Sequence, residues 1–136
     1  MATLKTNTLT GTSTAGSIAV TGEGNSTTTN LQQGLAKAWV NFDGTASGAA
    51  ARDSFNVSGM TDNGTGDYTV SINNDMANVN YASSCSGGHT LTGRYNLIAD
   101  ADGKATGSAG FFGFQTSTGG DLDHAEVSVS FFGDLA

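Results

Sequence analysis

Two runs of alternating side chains constrain this chain more than any other feature. In residues 36–42, Ala38, Val40 and Phe42 fall on one side and Lys37, Trp39 and Asn41 on the other. In residues 68–72, Tyr68, Val70 and Ile72 alternate with Thr69 and Ser71. An apolar period of two, carried by aromatic and β-branched residues, describes a strand with one buried face. Between the runs the sequence predicts a small-residue loop from Gly44 to Ala51, a short strand from Ser54 to Val57, and a turn over residues 61–67. Within that turn Asn63-Gly64 is the expected hairpin tip, because both residue types accept positive φ and suit a type I′ turn.

The remaining chain follows the same grammar. Residues 79–83 read as a weak strand and Ser83 to Gly88 as a flexible loop. Leu91 to Ala99 and Gly110 to Thr116 read as strands joined by the turn Asp100-Ala101-Asp102-Gly103. A last strand over residues 125–132 turns Val127, Val129 and Phe131 inward. The 20 Gly supply turns, the absence of Pro removes one obstacle to ladder pairing, and seven Phe, three Tyr and one Trp supply a core. Seven or eight short strands joined by turns predict an all-β, antiparallel β-sandwich, jelly-roll-like, over residues 34–136. Its core is thin, so burial between subunits is an expected supplement.

Residues 1–33 form a separate region. Leu4, Leu9, Ile18, Val20 and Leu31 are its only large apolar residues, too few for a core. Two states fit: disorder, or an extended N-terminal arm lying against neighbouring subunits. Asn30 to Gly34 has room for one helical turn.

Charge removes some functions. A formal charge of −7 opposes nucleic-acid binding, and the five basic residues Lys5, Lys37, Arg52, Arg94 and Lys104 are dispersed. No apolar run is long enough to cross a bilayer and no leader pattern opens the chain, so the expectation is a protein made in the cytoplasm with no membrane partner. One cysteine, Cys85, forms no intramolecular disulfide and reads as a small buried hydrophobe or an inert thiol.

The runs 36–45 (Ala36-Lys37-Ala38-Trp39-Val40-Asn41-Phe42-Asp43-Gly44-Thr45), 52–58 and 61–70 (Thr61-Asp62-Asn63-Gly64-Thr65-Gly66-Asp67-Tyr68-Thr69-Val70), followed by Asp75-Met76-Ala77-Asn78-Val79-Asn80-Tyr81, together resemble a module of tailed-bacteriophage fibre proteins, notably of phages of marine bacteria. Residues 1–8 are similar to the N-terminus of short fibre-like proteins of the same viruses. The resemblance spans roughly the first eighty residues. It implies a trimeric virion fibre or surface protein, attached to other virion proteins by its N-terminus, and it brings no catalytic residues.

Chemistry-bearing residues are sparse. Asp100-Ala101-Asp102-Gly103 and Asp121-Leu122-Asp123-His124 pair carboxylates, but neither completes a calcium loop, and aspartate is a routine turn residue. His89, His124 and Cys85 are too few and too scattered for a zinc site, and no Gly-x-Ser-x-Gly elbow is present. The reading is therefore no enzyme, no metal and no cofactor. Trp39 lies out of phase with Val40 and Phe42, and in Phe111-Phe112 and Phe131-Phe132 one ring of each pair must leave its own core. Trp39, Phe112 and Phe132 are thus the expected oligomer interface, with Asn63 and Gly64 as turn residues. The functional expectation is a structural virion protein of tail-fibre type, a homotrimer anchored by residues 1–33. A capsid decoration or cement protein or head fibre is the nearest alternative, favoured by the shortness of the chain, and a module binding host-surface polysaccharide is the next.

Overall fold

The computed structural model describes residues 3–11, 18–22, 27–88 and 95–136. The chain divides into two units, Met1–Leu35 and Ala36–Ala136. In the first, β1 (Ala19–Thr21) pairs antiparallel with β2 (Thr28–Asn30). The turn α1 (Leu31–Gly34) follows, capped by Asn30, whose side chain accepts the Gln33 N–H at 3.0 Å. Leu4, Leu9 and Val20 stay exposed, as expected of a segment without a core.

Among its described residues the second unit is an all-β sandwich of eight strands. They are β3 (Ala38–Asp43), β4 (Ala50–Phe55), β5 (Val57–Gly64), β6 (Asp67–Ile72), β7 (Ala82–Gly88), β8 (Tyr95–Ala99), β9 (Ser108–Gln115) and β10 (Glu126–Phe132). One sheet has the order β4-β3-β10-β7 and the other β5-β6-β9-β8, and every pairing is antiparallel. The two alternating runs sit in the phase their residues predict. Ala38, Val40 and Phe42 on β3, with Tyr68, Val70 and Ile72 on β6, point into the space between the sheets. Val127, Val129 and Phe131 of β10 and Ala109 and Phe111 of β9 complete that layer. Edge-to-face ring contacts lock it, with centroids 5.1 Å apart for Phe42–Tyr68 and 6.0 Å for Phe111–Phe131.

Four local expectations are corrected. The short strand expected from Ser54 to Val57 is broken at Asn56, where φ is +55° and the chain leaves one sheet for the other. Asn56 can hold this corner because its side chain replaces the lost ladder. Its Nδ2 donates to the carbonyls of Lys37 and Asn74, and its Oδ1 accepts from the N–H and side-chain amide of Asn74. In the same region the loop expected through Ala51 ends at Gly48-Ala49, and β4 starts at Ala50.

The hairpin tip is not Asn63-Gly64. Those residues lie in β5, with a bulge between Asp62 and Gly64, and the tip is Thr65-Gly66. Gly66 has φ +73°, and any Cβ there would run into the Gly113 carbonyl. Its N–H donates to Asp123 Oδ1 at 2.7 Å and its carbonyl accepts the Gly113 N–H, also at 2.7 Å. Close approach of distant backbone therefore places the turn, overriding the stronger local turn pair.

The segment expected as a flexible loop, Ser83 to Gly88, is most of strand β7, paired along its length with β10. Ladder hydrogen bonds need no particular side chain, and one position here requires glycine. A Cβ on Gly87 would stand 3.0 Å from the ring of His124. Of the strand expected from Leu91, the structure describes β8 from Tyr95; Leu91 and Arg94, like His89, lie outside the described residues.

Candidate functional site

The two sheets leave different outer faces. On β4-β3-β10-β7 the register sets Trp39 between Phe55 of β4 and Ser130 of β10, and Ser130 beside Ser84 of β7. The next row runs Asp53, Asn41, Ser128, Ser86. Trp39 is partly exposed and Phe55 about half exposed, while Phe132 on β10 is partly covered. A shallow depression of about 250 Å³ lies over Trp39, Asn41, Ser128, Ser130, Ser84 and Ser86. Asn41 is fixed beside it. Its Nδ2 donates to Ser128 Oγ at 2.9 Å and to the Val127 carbonyl at 3.3 Å, and Arg52 donates to its Oδ1.

Arg52 is itself committed to Asp43 at 3.0 Å and to the carbonyls of Phe42 and Ala125. Hydrogen bonds from the Thr45 hydroxyl and N–H, more than the Arg52 charge, hold the Asp43 carboxyl below its ordinary range. The guanidinium is thereby neutralised within the sheet edge instead of being offered to a ligand.

On the other sheet, β8 and β9 set Ile98 directly opposite Phe112. Ile98 is 44% and Phe112 37% exposed, while the neighbouring Phe111 is fully buried. One ring of each Phe pair therefore points inward: Phe111 and Phe131 lie in the core, Phe112 and Phe132 on outer faces. Trp39 and Phe132 share one face and Phe112 occupies the opposite one, so the three expected interface residues do not form one patch. Ile98 is the partner that sequence reading missed, because only the β8–β9 register brings it to Phe112.

The remaining candidates are structural. Asp100 Oδ1 accepts the N–H of Asp102, an aspartate turn. Asp123 accepts the Gly66 N–H and, at 2.9 Å, the hydroxyl of Tyr68. Burial and then this hydrogen bond to Asp123 raise the Tyr68 phenol well above its ordinary value. His124 is fully buried, with Nε2 3.1 Å from the Asn96 carbonyl. Its ring fits against Gly87 and Gly113, the residues that make room for it. Cys85 packs against the core, its Sγ donates to the Leu97 carbonyl, and burial pushes the thiol up. Among the described residues no three His, Cys, Asp or Glu side chains are grouped as metal ligands.

No family model matches this chain, and comparison with curated proteins and with solved structures likewise finds no match.

Proposed function

We propose that this chain is a structural, non-enzymatic virion protein of tail-fibre type, a homotrimer attached to other virion proteins through residues 1–33 and displaying the sandwich. The virion class is supported by the resemblance carried by residues 36–81. The assembly is carried by one observation: the exposed Ile98–Phe112 pair on the outer face of β8–β9. Large apolar side chains side by side on a sheet face are costly to leave in water, and covering them with a neighbouring subunit removes that cost. Phe112 is therefore the central interface residue in this reading. Trp39 and Phe132, on the opposite sheet, belong to the displayed face.

The test is imaging of purified phage particles with a gold-labelled antibody raised against residues 36–136. Label on tail-associated fibres supports the proposal. Label spread over the capsid assigns the chain instead to decoration or head-fibre proteins. Particles without label overturn the virion reading.

A further inference from the structure

A row of residues crosses the sheet β5-β6-β9-β8 and ends on the exposed apolar pair. Gly64 of β5 lies opposite Asp67 of β6, Asp67 opposite Phe112 of β9, and Phe112 opposite Ile98 of β8. Asn63 is tied to this row, since its Nδ2 donates to Asp67 Oδ1 at 3.2 Å and to Thr69 Oγ1 at 2.9 Å. It is the bulge residue of β5, exposed on an edge strand, and nothing stands within 4 Å of the place a Cβ on Gly64 would take. Asn63 is also the one asparagine of the chain that a glycine follows. The Gly64 N–H donates to Asp62 Oδ1 at 3.1 Å, so a carboxylate rests on the proton of that peptide nitrogen.

We infer that Asn63 is a deamidation site in the folded chain, and that its conversion is a charge switch on assembly through Phe112. The Gly64 nitrogen attacks Asn63 Cγ and closes a succinimide ring. Asp62 takes the Gly64 proton and returns it to the departing nitrogen, so the Cγ–Nδ2 bond breaks and ammonia leaves. Water then adds to either ring carbonyl, that carbon's bond to the ring nitrogen breaks, and the nitrogen regains a proton. Position 63 ends as an aspartyl or isoaspartyl residue, with nothing oxidised or reduced. Glycine permits the attack because no side chain shields its nitrogen. The product holds a carboxylate where Nδ2 had donated to Asp67, so a hydrogen bond becomes a like-charge contact. Asp67 is the cross-strand neighbour of Phe112, and the new charge therefore falls on the rim of the proposed interface, in a chain already at −7. The switch rests on the trimer reading, whereas the modification does not.

The folded full chain is aged at neutral and mildly alkaline pH, a second sample is aged in urea, and both are mapped by peptide mass spectrometry. Asn63 is expected to convert in the folded chain, ahead of every other asparagine and faster at the alkaline pH. Gly64→Ala is expected to slow conversion at least about tenfold by shielding the nitrogen. Asp62→Asn keeps an acceptor for the Gly64 N–H but removes the base, and is expected to slow conversion about threefold or more. Light scattering over a dilution series reads the switch. Aged wild type and fresh Asn63→Asp are expected to dissociate at a concentration about threefold or more above that of fresh wild type, the gap narrowing in high salt. Aged Gly64→Ala is expected to keep its oligomer.

Conversion in urea but not in the folded chain means that the strand protects Asn63, which overturns the inference, as does no conversion in either sample. An unchanged rate in Asp62→Asn overturns the role given to Asp62. An Asn63→Asp variant that assembles like fresh wild type overturns the switch. A fresh wild type that is already monomeric overturns the trimer reading and the switch with it, while the peptide masses of the folded chain still decide the modification.

Discussion

Ile98 on β8 and Phe112 on β9 stand opposite each other across an antiparallel ladder, both on the outer face of their sheet and both more than a third exposed. Two residues beyond Ile98 the chain turns at Asp100, and one residue before Phe112 the fully buried Phe111 anchors the core. The exposed pair is therefore held rigidly by strands that cannot turn it inward. Reversing the phase of β9 to bury Phe112 would expose Phe111 in its place.

The displaced hairpin tip gives a sharp contrast between two glycines. Gly64 has φ +145° with open space where a Cβ would stand, whereas Gly66 has φ +73° and abuts the backbone of Gly113 and Leu122. Gly64→Ala is expected to cost about 1 kcal/mol from backbone strain alone. Gly66→Ala adds a steric clash that only backbone movement relieves, so about 3 kcal/mol or more is expected. Chemical denaturation of both variants checks the order. Equal losses would return the turn to Asn63-Gly64.

Asn56 joins the two sheets by conformation and by hydrogen bonding, and two substitutions separate these roles. Asn56→Gly keeps the positive φ but removes the side-chain bonds to Lys37 and Asn74. Asn56→Ala loses both. At about 1 kcal/mol for each of the four net hydrogen bonds, Asn56→Gly is expected to cost about 4 kcal/mol and Asn56→Ala about 1 kcal/mol more. Thermal or urea midpoints measure the difference.

Tyr68 and Tyr81 predict a base-side loss of stability. Burial raises both phenols, and Tyr68 is raised further by its hydrogen bond to Asp123. A group whose folded pKa lies above its unfolded value contributes fully below the unfolded value, here 10.0, and that contribution is lost as pH rises through the folded one. Stability should therefore decline above about pH 10. In the folded protein, ultraviolet titration should show delayed phenolate formation for these two residues. In Tyr68→Phe the alkaline decline should shrink. Ordinary titration of every tyrosine in the folded chain would contradict this.

Much of the sandwich was legible because strand phase is local information. Ala38, Val40 and Phe42, or Tyr68, Val70 and Ile72, declare their inward face within a few residues. The outward phase of Trp39 and the splitting of the Phe pairs were readable for the same reason. What sequence reading missed depends on partners far along the chain. Gly66 is the hairpin tip because it meets Asp123, 57 residues away. Strand β7 is a strand because β10 pairs with it, and its own serines and glycines carry no apolar pattern. The serine wall beside Trp39 is assembled from β7 and β10, and Ile98 reaches Phe112 only through register, so neither surface could be drawn from one segment.

Assembly through the Ile98–Phe112 face is the central claim, and the solution mass of the full chain tests it most directly. Light scattering at micromolar concentration is predicted to give three times the chain mass of 13.7 kDa. Phe112→Ser, which removes an aromatic contact worth about 2 kcal/mol or more of association free energy, should shift the chain toward monomer while its β circular dichroism is retained. A wild-type chain that runs as a 13.7 kDa monomer, or a Phe112→Ser variant that stays trimeric, would contradict the account.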